Sequence, residues 1–213
     1  MTKEKSFILK RRIISIVLYV LAFSLLIFLF FGDYLKVGGY AFSIALIMLP
    51  FYIYSYSKRL KNFISLEYIQ LIQMVIAIAS FFNLLGSLAG YYNPTYQGYD
   101  KFVHFINPLM IFCVSPIFVA GFQNFFFSKI SRWFVIVANF VFIIFGSFVW
   151  EFYEYFIDSL FENSHMLGNY GEVYFDTLYD LLYDFAGGLL ASIFIYFYFY
   201  NYLIKQINFK KRQ

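Results

Sequence analysis

Long runs of apolar residues without a charge recur along the chain, and they constrain the fold more than any other feature. Residues 13–31 hold 19 consecutive residues without Asp, Glu, Lys or Arg, and residues 37–57 form a second such run. A helix needs about 20 mostly apolar residues to cross the hydrocarbon core of a bilayer. The sequence therefore predicts a protein whose helices cross a membrane several times.

The apolar runs are continuous rather than alternating at every second residue, which favours helices over the strands of a barrel. We predict an all-α fold, a polytopic transmembrane helix bundle with about six transmembrane helices in a single membrane domain, residues 1–213. The composition agrees, since 13% of the residues are charged, against about 25% in soluble domains. The lipid bilayer is the expected partner of these surfaces. The approximate spans are residues 13–31, 37–57, 62–90, 102–128, 133–158 and 176–204.

The basic residues cluster between the spans and indicate the orientation of the chain. With the N-terminus in the cytoplasm, 14 of the 16 Lys and Arg residues fall on the cytoplasmic side, and only Lys36 and Lys101 fall outside. This asymmetry is the positive-inside pattern of multi-pass proteins. We therefore predict a protein of the cell (inner, cytoplasmic) membrane with cytoplasmic N- and C-termini.

The net charge of +4 comes from basic residues that lie in short clusters between the apolar runs, where they act as topology signals. No nucleic-acid partner is therefore expected.

Most acidic residues fall on the opposite side of the predicted membrane, and several recur at helical spacing. Three sets have spacings of three or four residues, which place each set along one face of its helix. At ~1.5 Å per residue these sets lie roughly 30 Å from the cytoplasmic basic residues, near the outer edge of the hydrocarbon core. The candidate ligand-binding residues are Asp100, His104, Glu151, Glu154, Asp158, Asp176, Asp180 and Asp184.

A purely structural role explains some of these acids better than others. Asp100 and Asp176 begin helices, where a carboxylate caps free N–H groups and suits the positive end of the helix dipole. Glu151, Glu154 and Asp158 lie near a helix C-terminus, where the dipole disfavours anions. Capping therefore does not explain these three, and the alternative to a site is a helix end exposed to water.

Seven acids in this region face only Lys101 and His104 as nearby bases. Carboxylates in such excess are stabilised by a bound cation, by protonation or by open access to water. Carboxylate oxygens suit hard cations, and an added imidazole suits a transition metal or zinc. A divalent cation is therefore one expectation for a cofactor, with a proton-sharing carboxylate network as the alternative. The metal-binding candidates are His104, Glu154, Asp180 and Asp184.

Ordered motifs in the second half of the chain resemble two bacterial membrane families. Residues 99–105, Tyr-Asp-Lys-Phe-Val-His-Phe, resemble the opening motif of VanZ-like membrane proteins, and residues 150–155, Trp-Glu-Phe-Tyr-Glu-Tyr, resemble their second acidic motif. Residues 167–188 carry Leu-Gly-x-x-Gly, Asp-Thr-x-x-Asp and Gly-Gly in that order, which is similar to the closing motif of YjdF-type inner-membrane proteins.

The resemblance implies a small bacterial multi-pass protein of unestablished biochemistry. VanZ-like proteins are associated with resistance to glycopeptide antibiotics of the teicoplanin type. The chain lacks a clear Glu-x-x-Gln motif of VanZ itself, which favours the YjdF-type group over a direct role in resistance.

Three kinds of function fit these features. The first is binding of a cation, or of the headgroup of a lipid or cell-envelope precursor, at the extracytoplasmic membrane face. The second is an ion-coupled transporter, although carriers usually place their site near the midplane, where this chain offers only Gln70 and Gln73. The third is a structural or partner-binding protein with solvated acids and no catalytic site. The chain has no HExxH motif and no phosphate-binding glycine loop, so the sequence names no enzymatic reaction.

Overall fold

The computed structural model describes residues 3–90, 98–114, 119, 131–161 and 173–202. Within these ranges every regular element is a helix and no strand forms. The all-α polytopic fold predicted from the sequence is therefore confirmed. The described residues divide into two compact units, residues 3–85 and those within 86–202.

The first unit begins with two long helices joined by a tight turn. Gly32 makes this turn with a φ of 74°, a left-handed conformation that favours glycine. The carboxylate of Asp33 accepts a hydrogen bond from the Lys36 backbone N–H at 3.2 Å and caps the second helix. The helices of this unit are α1 (Lys3–Phe31), α2 (Tyr34–Tyr56), α3 (Lys58–Phe63) and most of α4 (Leu66–Ala89).

Side chains from α1, α2 and α4 form the apolar core of the first unit. Gln73 is one of the buried polar residues of this unit, and its side-chain amide donates a hydrogen bond to the Ile47 carbonyl at 3.0 Å. In a bilayer, packing and satisfied hydrogen bonds hold helices together, because lipid is as apolar as the core. The buried core residues are Ile14, Val17, Leu21, Tyr40, Ile47, Ala77 and Leu84.

Three long helices lie among the described residues from 98 to 202 in the second unit, and the third of them packs on both others. After Phe194 this helix continues into a π-helical turn, Ile195–Phe199. The three helices are α5 (Gly98–Val114), α6 (Arg132–Leu160) and α7 (Val173–Phe194).

Two adjacent glycines on α7 allow this close packing. A Cβ atom on Gly187 would collide with the backbone carbonyl of Phe105 on α5. A Cβ atom on Gly188 would lie 3.3 Å from the Ile143 side chain on α6. Small residues let helix backbones approach in this way in membranes, so the Gly-Gly pair brings α7 against two helices at once.

In the part of the chain that the structure describes, five helices are long and apolar enough to cross a membrane: Lys5–Phe31, Tyr34–Tyr56, Leu66–Ala89, Arg132–Leu160 and Val173–Tyr198. Large apolar side chains on them are exposed, among them Phe30 at 87% and Phe197 at 69%, which suits surfaces that face lipid. The sixth predicted span, residues 102–128, begins within α5. Beyond Val114 its residues, apart from Val119, lie outside the described ranges.

The helix boundaries differ from the predicted spans at several ends. The first helix starts at Lys3, well before residue 13, and so includes the basic residues that precede the apolar run. The sequence does not predict α3, a short basic helix capped by Ser57, whose hydroxyl accepts a hydrogen bond from the Leu60 N–H at 3.2 Å. The next helix consequently begins at Leu66 rather than at residue 62.

Candidate cation site

Three helix faces of the second unit meet at a group of charged side chains, which we call the acid–histidine cluster. The most enclosed members are 2–7% exposed, so their charged groups are shielded from the surroundings. The three helices that carry these acids therefore pack against one another. The cluster consists of Asp100, Lys101 and His104 on α5, Glu151 and Glu154 on α6, and Asp176, Asp180 and Asp184 on α7.

Lys101 is the positive centre of one side of the cluster. Its ammonium nitrogen lies 3.0 Å from a carboxylate oxygen of Asp100, 2.5 Å from one of Asp176 and 2.7 Å from one of Asp180. Burial disfavours the charged ammonium, but the hydrogen bonds to Asp176 and Asp180 outweigh it and hold the pKa of Lys101 above its usual range. Lys101 therefore ties the start of α5 to the first turns of α7.

His104 lies one turn after Asp100 and is 6% exposed. Its Nδ1 atom lies 3.2 Å from a carboxylate oxygen of Asp184, within hydrogen-bond distance. Its Nε2 atom lies farther from the neighbouring acids, 3.8 Å from Asp100 and 3.7 Å from Asp180. The Asp184 contact orients the ring and leaves Nε2 as the nitrogen available to a ligand.

The two glutamates on α6 differ in how they are satisfied. Glu154 accepts a hydrogen bond at 2.8 Å from the indole N–H of Trp150, one turn earlier on the same helix. Glu151 is 7% exposed, and neither of its carboxylate oxygens has a well-formed hydrogen bond to any of the described residues. The side chain of Thr177 on α7 interacts with it electrostatically. A buried carboxyl group without a partner is costly, which singles out Glu151.

Two groups of side chains offer ligand atoms close enough to share one metal ion. The first group is Asp100, His104 and Asp180, and the second is His104, Glu151 and Glu154. In each group one nitrogen or oxygen atom per residue lies within 4.8 Å of the others. The two groups share His104, so the imidazole stands at the middle of the cluster.

A family model described as "Predicted membrane protein (DUF2238)" matches residues 13–201. The chain belongs to this family. No curated protein and no solved structure matches the chain significantly. The family description establishes a membrane protein and names no ligand, reaction or residue.

In this DUF2238 protein all but one of the site residues predicted from sequence come together. The exception is Asp158, which lies half-buried near the end of α6 and belongs to neither group of close ligand atoms among the described residues. The predicted metal ligands do not form a single group. Asp180 and Glu154 fall in different groups, and Asp184 lies beside His104 Nδ1.

The sequence does not predict Lys101, Trp150 or Thr177 of the DUF2238 protein as site residues. Lys101 was visible as a base near many acids, but its three carboxylate partners depend on how α5 and α7 align. Trp150 is four residues before Glu154, a spacing that places the two side chains on one helix face. That spacing was the available signal for the Trp150–Glu154 hydrogen bond.

Proposed function

We propose that this protein binds a cation in the acid–histidine cluster at the extracytoplasmic face of the cytoplasmic membrane. The ligand is a metal ion or the cationic group of a lipid headgroup or cell-envelope precursor. The observation that carries this proposal is the buried carboxyl group of Glu151, for which the described residues provide no well-formed hydrogen bond. A bound cation would supply the partner that the protein does not provide.

The charge balance of the cluster supports a cation over an anion. Six carboxyl groups meet one ammonium group, that of Lys101, and one imidazole, that of His104. Lys101 already pairs with three of the acids, which leaves the glutamates of α6 without a permanent positive partner. A phosphate or carboxylate ligand would add negative charge to this excess and is disfavoured.

The positive-inside pattern supports the proposed location of the site. With six spans and cytoplasmic termini, the start of α5, the end of α6 and the start of α7 all face the outside. These are the helix ends that carry the cluster. The motifs that resemble YjdF-type and VanZ-like proteins also lie there, and a YjdF-type inner-membrane protein remains our assignment within this proposal.

Thermal unfolding of the full chain in detergent tests the proposal. The midpoint is measured with chelator, with Zn²⁺, Mn²⁺ or Ca²⁺, and with choline or ethanolamine as the headgroup probes. Ligand at about 100 times its Kd stabilises the folded state by about 2.7 kcal/mol. We therefore expect a clear rise of the midpoint with at least one cation.

Two variants make this test specific to the cluster. The double variant Glu151→Gln with Asp180→Asn should lose the rise. The variant Asp33→Asn, which changes an acid beside Lys36 in the other unit, should keep it. A wild-type midpoint that no cation moves, or a double variant that responds like the wild type, overturns the proposed function.

A further inference from the structure

The acid–histidine cluster divides into two halves that differ in what neutralises them. In the lysine half, the ammonium group of Lys101 contacts Asp100, Asp176 and Asp180 at 2.5–3.0 Å. A side-chain ammonium at these distances does what a bound cation would do. In the lysine half, the protein therefore supplies the positive charge itself, and no bound metal ion is needed to neutralise these three acids.

The histidine half is formed by His104, Glu151 and Glu154 and contains no Lys or Arg. All three residues are buried, at 6–7% exposure. A ligand atom of each residue lies within 4.8 Å of the other two. Three side chains that can bind a metal ion therefore lie close together in this half. One of them, Glu151, has carboxylate oxygens without a well-formed hydrogen bond to the described residues.

Neighbouring side chains hold two of the three donor groups in place. Trp150 donates its indole N–H to Glu154 at 2.8 Å, and the Asp184 carboxylate lies 3.2 Å from His104 Nδ1. Metal-binding histidines usually engage a carboxylate or carbonyl through the ring nitrogen that does not bind the metal. The Asp184–His104 pair has this arrangement, with Nδ1 engaged by the carboxylate.

We propose that His104, Glu151 and Glu154 bind one divalent transition-metal ion, Zn²⁺ or Mn²⁺, with Asp184 and Trp150 as positioning residues. This assignment rests on the proposed function and names its ligand and its binding residues. It replaces the ligand set predicted from sequence, because Asp180 pairs with Lys101 and Asp184 orients the imidazole.

The donor atoms select the class of metal. One imidazole nitrogen with carboxylate oxygens suits Zn²⁺ or Mn²⁺, whereas Mg²⁺ and Ca²⁺ prefer oxygen ligands alone. Ligand atoms about 2.1 Å from a tetrahedral ion are roughly 3.4 Å apart. The ligand atoms, now within 4.8 Å of one another, would have to approach to that separation when a metal binds. Three protein ligands leave a position open for water or a polar ligand, as in catalytic zinc sites.

Metal content of the purified full chain tests the assignment. The protein carries a streptavidin-binding tag rather than a polyhistidine tag, is loaded with Zn²⁺, and is desalted before elemental analysis. We expect about one zinc per chain for the wild type, and loss of zinc in Glu151→Gln and His104→Gln. Asp184→Asn should weaken zinc binding about 10- to 100-fold, as expected for a residue that orients a ligand.

Asp33→Asn is the matched control, because Asp33 pairs with Lys36 in the other unit and does not belong to the acid–histidine cluster. This variant should keep its zinc. A Co²⁺-loaded sample gives a second readout: visible absorption of the bound cobalt should appear in the wild type and Asp33→Asn and vanish in Glu151→Gln. Thermal unfolding in chelator checks that each variant is folded.

The outcomes separate this assignment from the broader proposal. If zinc and cobalt bind equally well to Glu151→Gln and His104→Gln, the assigned ligands are wrong. If choline or ethanolamine stabilises the wild type while neither metal is retained, the metal assignment is overturned and the proposed function stands. If no cation binds the wild type at all, both fail.

Discussion

At the scale of single residues, Lys101 neutralises acids from two helices through one ammonium group. We predict that Lys101→Met lowers the free energy of unfolding by about 1–3 kcal/mol, because it leaves partly buried carboxylates without a partner. Added Ca²⁺ or Mg²⁺ should restore part of this loss by entering the vacated position. Thermal unfolding of wild type and variant, with and without these ions, measures both effects.

Lys101→Arg serves as the control, since it keeps the charge and should lose less stability than Lys101→Met. The raised pKa of Lys101 fixes the pH dependence of its contribution. That contribution is fully present below the ordinary lysine pKa of about 10.4 and is lost as the pH rises through the higher folded-state value. Equal stability of Lys101→Met and the wild type at pH 7 would contradict the role given to Lys101.

Glu151 is a buried acid whose two carboxylate oxygens have no well-formed hydrogen bond to the part of the chain that the structure describes. We predict that Glu151→Gln, measured in chelator, raises the free energy of unfolding by about 1–3 kcal/mol, because it removes a buried charge without a partner and keeps the shape of the side chain. With saturating Zn²⁺ the order should reverse, and the wild type should become the more stable protein. A variant less stable than wild type in chelator would show that the carboxylate is already satisfied.

At the scale of helices, Gly187 sets the distance between α5 and α7. We predict that Gly187→Ala destabilises the protein by about 1–3 kcal/mol, the usual cost of overpacking. The added methyl group meets the rigid backbone carbonyl of Phe105. The resulting displacement would also weaken cation binding, because α5 carries His104 and α7 carries its partner Asp184. Thermal unfolding with and without Zn²⁺ measures both losses.

Gly188→Ala is the comparison for Gly187→Ala, with the same chemical change one residue later. Its Cβ atom would meet the side chain of Ile143 at 3.3 Å, and that side chain can move by a few tenths of an ångström. We therefore expect a smaller loss of stability and an unchanged response to Zn²⁺. Equal effects of the two substitutions would remove the special role of the α5–α7 contact.

The same helices show how far sequence reasoning reaches. Charge-free runs predict the helices because a membrane demands about 20 apolar residues at a time. Spacings of three and four place Glu151 with Glu154, and Asp180 with Asp184, on single helix faces. Those faces then meet because turning charge towards lipid is costly. Each of these steps uses information local to one helix.

The details of the site depend on relations between helices, which spacing within one helix does not encode. The three partners of Lys101 follow from the axial alignment of α5 and α7. The division into a lysine half and a histidine half follows from the same alignment. Likewise, the short helix α3 depends on the Ser57 cap and on the break before Leu66, which the apolar pattern around it conceals.

At the scale of the whole molecule, the membrane topology decides on which side of the membrane the acid–histidine cluster lies. We predict that green fluorescent protein fused to either terminus is fluorescent, and that alkaline phosphatase fused after Phe161 is active. The reason is the concentration of 14 of 16 Lys and Arg residues on one side of the six predicted spans. Alkaline phosphatase activity at either terminus would reverse the orientation and move the cluster to the cytoplasmic face.

The account as a whole depends on a cation in the acid–histidine cluster, and anomalous X-ray diffraction tests this most directly. Crystals of the full chain grown with Zn²⁺ are measured on both sides of the zinc absorption edge. The account predicts one strong anomalous peak about 2.0–2.2 Å from a His104 ring nitrogen and from carboxylate oxygens of Glu151 and Glu154. A cluster without a peak, in which Glu151 contacts only water or protein donors, would contradict it.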